Sequence, residues 1–171
     1  MATAQEVGFW QAVAPTARAV ASQVPGLFPQ TLLIQWADET GFNPTGTPPG
    51  SWNLAGISPG GHLAHYRSLQ AFMRAYVATI RSPVYAPVLA APSVVAQLYA
   101  LGQSPWASGH YALGGVPGQA LVDLYRANQG VVDSIAGSYP VAVTASIPAW
   151  LPVAVVGIPV GAIVWAELRR L

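Results

Sequence analysis

The sequence predicts a mainly α-helical fold, and three observations support this prediction. Apolar residues recur at helical spacing in several segments, most clearly over residues 69–80. Proline and glycine cluster between these segments and mark their limits. The C-terminal part differs from the rest, because no acidic residue, arginine or histidine occurs from Ser134 to Ala166. We therefore expect a helical domain over residues 1–130, followed by an apolar segment.

The first half of this domain is predicted to contain three helices. Residues 5–24 show helical periodicity, although Pro15 could be the first residue of a second helix that follows a short first one. Pro29 suits the first turn of the next helix, which is short and ends near Glu39. Ser68 is a suitable N-cap for the third helix.

A small β-hairpin is expected between the second and third of these helices. Residues 54–57 and 62–66 can pair as short strands, because the intervening Ser-Pro-Gly-Gly sequence favours a turn. Short helices are then expected to begin at Pro83 and Pro92.

The last helix of the domain is predicted over residues 117–128. Leucines and a tyrosine face inward along it, and Gly130 is expected to terminate it. The segment 131–146 would then be a linker.

Glu39 is the candidate catalytic residue of this domain. In a helix, Glu39 shares a stripe with the apolar residues Leu32 and Trp36, whereas Asp38 points away from that stripe. Apolar surroundings favour the protonated form of a carboxyl group, which a general acid needs near neutral pH. The alternative is that Glu39 only ends a helix, at the C-terminal end where the helix dipole opposes a negative charge.

Four short motifs in series resemble a known domain. They are W-A-D-E-T-G-F from residue 36, S-W-N-L-A-G-I from residue 51, H-Y-R-S-L-Q-A-F from residue 65 and S-P-W-A-S-G-H-Y from residue 104. Their order and spacing resemble the glucosaminidase-type peptidoglycan hydrolases of the lysozyme-like superfamily, over about residues 9–128. Flagellar muramidases, autolysins and phage lysins carry this domain.

The resemblance implies a lysozyme-like helical domain with a cleft, a small β-element beside it and a glycan strand as substrate. It implies that Glu39 is the acid and that Tyr111 supplies a tyrosine to the site, with Trp106 as an upstream aromatic. Trp52 and Asn53 match the position that holds a sugar ring and its N-acetyl group, although Trp52 could equally be a core residue.

Two further aromatic or titratable side chains are candidates near the cleft. Tyr66 is favoured over Tyr76 as a cleft residue, because Tyr76 belongs to the apolar stripe of its helix. His110 is favoured as a structural loop histidine rather than a base.

The mechanism expected from the sequence uses a single acid. No Asp or Glu occurs between Thr40 and Val122, so the usual pair of glycosidase carboxylates has no obvious second member. Glu39 would protonate the glycosidic oxygen, and the substrate's N-acetyl oxygen, or a water oriented by Tyr111 or Asn53, would stabilise C1. Attack by the sugar's own 6-hydroxyl would instead make the protein a lytic transglycosylase. A third alternative is a non-catalytic, membrane-anchored structural or glycan-binding protein.

Composition excludes several other classes of function. The chain has no cysteine, which excludes disulfides and thiolate chemistry. Its three histidines have no metal-ligand spacing with carboxylates, so we expect neither a metal nor a cofactor. The net charge is +1 and the seven arginines are scattered, so we expect no nucleic-acid partner.

The apolar C-terminal segment is interpreted as a membrane anchor. Residues 147–166 match the length that crosses a bilayer, Trp150 and Trp165 lie near the two ends, and the basic tail 167–171 follows. Three prolines favour the alternative of an apolar strap that packs on the domain or on a partner. The arginine pair would put the C-terminus on the cytoplasmic or lumen-like side and the catalytic domain opposite, facing the cell wall.

The N-terminal residues suggest how such an enzyme reaches its substrate. They have no basic region and include Glu6, so we expect no secretory signal peptide. A virus particle or a secretion machine would then deliver the protein, for example a phage with an internal membrane. Its partners would be peptidoglycan, a lipid bilayer and neighbouring virion or membrane proteins.

Overall fold

The computed structural model describes residues 2–107 and 109–137, and this part of the chain is mainly helical, as predicted. Six α-helices occur within it, together with two short 3₁₀ turns at Pro59–Gly61 and Pro83–Tyr85. The helices are α1 (Ala4–Ala21), α2 (Pro29–Thr40), α3 (Leu69–Ile80), α4 (Ala86–Leu89), α5 (Val94–Gly102) and α6 (Gln119–Gly137).

Helix α2 is the centre of this domain. It packs against α1, α5 and α6, and residues 31–37 are buried without interruption. A helix that is buried on all sides needs neighbours on all sides, which explains why its sequence is apolar beyond a single stripe. Glu39, the candidate acid, therefore lies at the C-terminal end of a buried helix.

Helix α1 is a single helix, and the alternative of a second helix that begins at Pro15 is wrong. Thr3 and Glu6 form a capping box at its N-terminus, and Pro15 lies inside it. A proline inside a helix removes one backbone hydrogen bond and costs about 3 kcal/mol. The helix continues because residues on both sides of the proline are buried in the core. They include Val13, Ala14, Thr16, Ala17 and Val20.

The predicted β-hairpin is wrong. Over residues 54–66 the chain forms turns and the 3₁₀ turn Pro59–Gly61, and Gly60 and Gly61 both adopt left-handed conformations. One backbone hydrogen bond joins the two segments as it would in a hairpin, from the Ala64 N–H to the Ile57 carbonyl oxygen at 2.8 Å. The Asn53 side chain makes further hydrogen bonds to both segments. Side-chain hydrogen bonds therefore take the place of the backbone hydrogen bonds that would pair two strands.

The helices after the loop agree with the sequence more closely. Ser68 caps α3 through a hydrogen bond from the Ala71 N–H, as predicted, and Ser93 caps α5 in the same way. Helix α6 runs through Gly130 to Gly137, so this glycine does not terminate it. The first residues of the expected linker, 131–137, therefore belong to α6.

The expected membrane segment 147–166 and the tail 167–171 lie outside the described residues. Within the described residues, no helix combines the length and the apolar character that crossing a bilayer requires.

Candidate active site

Glu39 lies in the last turn of α2, and its side chain is only 13% exposed. The helix ends at Gly41, which adopts a left-handed conformation with a φ of 57°. The N–H groups of Gly41 and Phe42 both donate to the Ala37 carbonyl oxygen. The Thr47 hydroxyl donates to the Glu39 carbonyl oxygen at 3.0 Å, which ties the following loop to the helix end. These hydrogen bonds fix the backbone at the end of α2, and with it the position from which the Glu39 side chain extends.

Two side chains from the loop before α6 meet one oxygen of Glu39. The Tyr111 hydroxyl donates to Oε1, and His110 Nε2 lies 3.0 Å from the same atom. The two rings also contact each other, with centroids 4.0 Å apart. Tyr111 is fully buried whereas the His110 side chain is 46% exposed. Oε1 therefore has an inner partner and an outer partner.

The electrostatics of the site keep Tyr111 in its hydrogen-bond donor form. Burial raises the pKa of Tyr111 far above its usual range, and the nearby Glu39 charge raises it further. Asp38 responds to the same cluster. Although much of the Asp38 side chain is exposed, partial burial of the carboxyl group raises its pKa, the Glu39 charge adds to this, and His110 opposes it.

The second oxygen of Glu39 lies against Gly56. This glycine has a φ of 60°, and a Cβ atom placed on it would collide with Oε2 and lie 3.0 Å from Cδ. The Glu39 carboxyl group thus occupies space that any other residue at position 56 would fill. Two requirements therefore favour glycine here, a left-handed backbone and room for Oε2.

Asn53 is buried, and the hydrogen bonds of its amide group hold together the loop between α2 and α3 (residues 41–68). Nδ2 donates to the carbonyl oxygens of Ile57 and Ala64 at 2.9 and 3.1 Å, and Oδ1 accepts from the Ile57 N–H at 3.0 Å. The side chain is fully enclosed, so it offers no exposed amide to a sugar. The sequence predicted a ligand contact at this position, and the observed contacts hold the loop together instead.

Trp52 is half-buried and has an uncommon backbone conformation. Its φ of 57° lies in the left-handed region, which costs a bulky residue about 1–3 kcal/mol. The residues on either side, Ser51 and Asn53, are buried, and the Trp52 N–H donates to the Thr45 carbonyl oxygen at 2.8 Å. The surrounding loop therefore imposes this conformation, in the segment that also carries Gly56.

Trp106 and Tyr66 are half-buried and support the loop. Trp106 Nε1 donates to the Ala55 carbonyl oxygen at 2.8 Å, and its ring packs on Tyr76 with a centroid distance of 5.0 Å. The Tyr66 N–H donates to the Ser51 carbonyl oxygen at 2.8 Å, and its ring packs edge-on against Phe72. Burial raises the pKa of Tyr66 to about 12. Both residues connect the loop to helix α3.

The structure thus brings Glu39, Tyr111 and His110 into direct contact. The sequence favoured a structural loop role for His110 over a role as a base, and it did not identify Gly56 or Gln35. Gln35 precedes Glu39 by one helical turn, so the stripe that identified Glu39 contained a signal for Gln35 as well.

No family model matches this chain, and no curated protein or solved structure is detectably similar to it.

Proposed function

We propose that this protein is a peptidoglycan hydrolase of the N-acetylglucosaminidase type, with Glu39 as its general acid. One observation carries the proposal. The Glu39 carboxyl group is largely enclosed at the end of the central helix, Oε1 is held by Tyr111 and His110, and Oε2 faces a residue without a side chain. A carboxyl group that is held by hydrogen bonds on one oxygen, while the other oxygen packs against a glycine, is suited to deliver a proton in a defined direction.

In this proposal, each neighbour of Glu39 has a separate role. Tyr111 orients the carboxyl group from inside the protein, and His110 contacts it from the solvent side. The half-buried Trp52 is the candidate stacking surface for a pyranose ring, while Trp106 and Tyr66 hold the loop that carries it. Asn53 contributes by fixing that loop rather than by touching the sugar.

The positions of the three aspartates support a single-acid mechanism. Asp123 accepts a hydrogen bond from Gln119 at 2.7 Å, and Asp133 accepts one from Tyr125 at 3.0 Å and one from Gln30 at 3.3 Å, so both are engaged by residues outside the Glu39 cluster. Asp38 is adjacent in sequence, but it lies on the exposed side of α2. The N-acetyl oxygen of the substrate would then stabilise C1 after Glu39 protonates the leaving oxygen. Burial of Tyr111 and Asn53 favours this route over a water that they orient.

The same observation supports a lytic transglycosylase as the second candidate. If no second carboxylate activates water, the 6-hydroxyl of the sugar attacks C1 and Glu39 accepts its proton. Both reactions use Glu39 first as an acid and then as a base.

Digestion of purified sacculi tests the proposal and separates the candidates. We expect Glu39→Gln to reduce glycan cleavage by about 10²–10⁴-fold, which is the usual contribution of a general acid. Asp38→Asn is the matched control and should retain most of the activity. Mass spectrometry of the products then distinguishes reducing GlcNAc ends (glucosaminidase), reducing MurNAc ends (muramidase) and anhydro ends (transglycosylase).

Two outcomes would contradict the assignment of Glu39. Unchanged wall clearing by Glu39→Gln would exclude it as the acid. Binding of sacculi without cleavage by the unmodified protein would favour the alternative of a non-catalytic glycan-binding protein.

Membrane anchoring through residues 147–166 remains part of the proposal, with a virus particle or a bacterial membrane as the setting. Extraction of the protein from membranes with and without residues 141–171 tests this part separately. Equal partitioning of the two forms into the aqueous phase would contradict it.

A further inference from the structure

A chain of hydrogen bonds runs through the protein interior to Glu39. The Tyr76 hydroxyl donates to Gln35 Oε1 at 2.7 Å, Gln35 Nε2 donates to the Tyr111 hydroxyl oxygen at 3.4 Å, and the Tyr111 hydroxyl donates to Glu39 Oε1. Tyr76, Gln35 and Tyr111 are all fully buried. Water therefore does not compete for these bonds, and each donor and acceptor in the chain depends on its neighbour.

The chemistry of the Gln35 amide gives this chain a direction. An amide oxygen only accepts and an amide nitrogen only donates. With Oε1 toward Tyr76, the Tyr76 hydroxyl must donate. With Nε2 toward Tyr111, the Tyr111 oxygen must accept, so the Tyr111 proton is left for Glu39.

If the Gln35 amide were rotated by 180°, the Tyr111 hydroxyl would no longer donate its proton to Glu39. Gln35 Oε1 would then accept the Tyr111 proton, and a Tyr111 lone pair would face the carboxyl group. That arrangement favours a proton on Oε1 between the two residues. It would also take from Tyr76 the acceptor that its buried hydroxyl now uses. Tyr76 therefore holds the amide in the observed orientation.

The two oxygens of Glu39 are consequently inequivalent. Oε1 receives the Tyr111 hydroxyl and contacts His110, whereas Oε2 faces Gly56. We propose that Gln35 and Tyr76 are positioning residues that fix the direction of the Tyr111–Glu39 hydrogen bond, so that Oε1 only accepts and the transferable proton of Glu39 is carried on Oε2. The transfer of this proton rests on the proposed function, but the arrangement itself does not.

Several other ionisable groups face Glu39, and the test must keep them constant. Asp38 on α2 and His110 in the loop interact with its charge, and Tyr76 on α3 and Tyr111 respond to it. Variants that change only Tyr76 or Gln35 leave Asp38, His110 and Tyr111 in place.

The test is a ¹³C NMR titration of the full-length protein labelled at glutamate Cδ. The chain contains three glutamates, Glu6, Glu39 and Glu167, so the spectrum is simple, and Glu39→Gln assigns the signal. Tyr76→Phe removes the hydroxyl and keeps the ring that packs on Trp106. The amide is then free to reverse. We expect the titration midpoint of Glu39 to rise by about one pH unit, the effect of losing one hydrogen bond to a charged group.

A matched control and a rescue distinguish this role from a merely structural one. Tyr125→Phe removes a tyrosine hydroxyl that is bonded to Asp133 instead, and it should leave the Glu39 midpoint unchanged. The double variant Tyr76→Phe/Gln35→Leu has no amide to take the Tyr111 proton, so Tyr111 again donates to Glu39. We expect its midpoint to return to that of the unmodified protein.

Either of two results would overturn the proposal: an unchanged midpoint in Tyr76→Phe, or a double variant that behaves like Tyr76→Phe alone. Gln35→Met replaces Gln35→Leu in the double variant if the latter does not fold. The NMR measurement needs no enzymatic activity, so a failure of the proposed function is recognised separately, as absent glycan cleavage. If cleavage occurs, the alkaline limb of the kcat profile should move with the midpoint.

Discussion

Within the described residues, two tyrosine hydroxyls donate to carboxylates, and they do so in different surroundings. In the Glu39 pair, Tyr111 comes from a loop and reaches a helix residue 72 positions earlier in the chain. In the Asp133 pair, Tyr125 and Asp133 are eight residues apart on the same helix, at a distance of 3.0 Å. Gln30 from the first turn of α2 joins the Asp133 pair at 3.3 Å. The two pairs therefore involve opposite ends of α2.

The difference shows what a tyrosine–carboxylate bond needs in order to suggest a catalytic site. Burial and Asp133 raise the pKa of Tyr125 to about 12, so both tyrosines remain protonated donors at neutral pH. The Asp133 pair nevertheless links only α6 to the start of α2. The Glu39 pair adds a buried amide on the inside, a half-exposed histidine on the outside and a glycine against the second oxygen. Of the two, it alone combines a hydrogen-bonded oxygen with an oxygen that packs against a glycine.

Gly56→Ala should have the largest effect, because its methyl group would collide with the second oxygen of Glu39. Gly60 is a matched control, with a φ of 66° and no neighbouring heavy atom within 4 Å of a Cβ atom placed on it. Both alanine variants lose about 1 kcal/mol to the left-handed backbone, but only Gly56→Ala displaces Glu39. We expect glycan cleavage to fall by more than about 10²-fold in Gly56→Ala, the cost of a small misplacement of a catalytic group, and to persist in Gly60→Ala. Equal activity in the two variants would contradict the role of Oε2.

Removing each tyrosine hydroxyl tests the comparison directly. Tyr111→Phe should lower kcat for glycan cleavage by roughly 10- to 100-fold, because Glu39 loses its inner support. Tyr125→Phe should leave kcat unchanged. Each variant should lose about 1 kcal/mol of unfolding free energy, the usual value of one hydrogen bond, measurable by urea denaturation. Equal kcat values despite equal stability losses would show that the two pairs are functionally equivalent.

Substituting the aspartates should change stability in opposite directions. Folding raises the pKa of Asp38 above its ordinary value of 3.8, so the folded state prefers the protonated carboxyl group. The unfolding free energy is therefore highest below that value and falls as pH rises through the raised pKa. Asp38→Asn should increase the melting temperature at neutral pH by about 1–3 °C, and the gain should disappear below about pH 4. Asp133→Asn should decrease the melting temperature at neutral pH, because the Tyr125 hydroxyl loses its charged hydrogen-bond acceptor. A loss of stability in both variants would contradict this assignment for Asp38.

Much of the helical framework was predictable from local signals. Pro29 and the capping residue Ser68 mark the starts of α2 and α3 correctly, because proline at a first turn and serine at an N-cap act within a few residues. Local signals failed where tertiary packing outweighed them. Pro15 does not divide α1, and Gly130 does not end α6, since the buried faces of both helices continue past these residues.

The candidate site was predictable only in part, for a similar reason. Glu39 followed from the periodicity of α2, and Tyr111 followed from a motif. The role of Asn53 did not, because its three hydrogen bonds to Ile57 and Ala64 depend on a loop conformation that no local pattern specifies. The hairpin was wrong for the same reason, since the Asn53 side chain supplies the bonds that would have joined two strands.

The end of α2 also restricts where residues can be inserted into this protein or deleted from it. Phe42, directly after the left-handed Gly41, packs its ring edge-on against both Phe9 and Trp10 of α1, with both centroid distances at 5.7 Å. Inserting one residue into α2 would either dislodge this ring or rotate Glu39 by about 100° about the helix axis, away from Tyr111. Insertions and deletions should therefore be accommodated around the exposed turn Pro59–Gly61, while the number of residues between Pro29 and Phe42 stays constant in any functional variant.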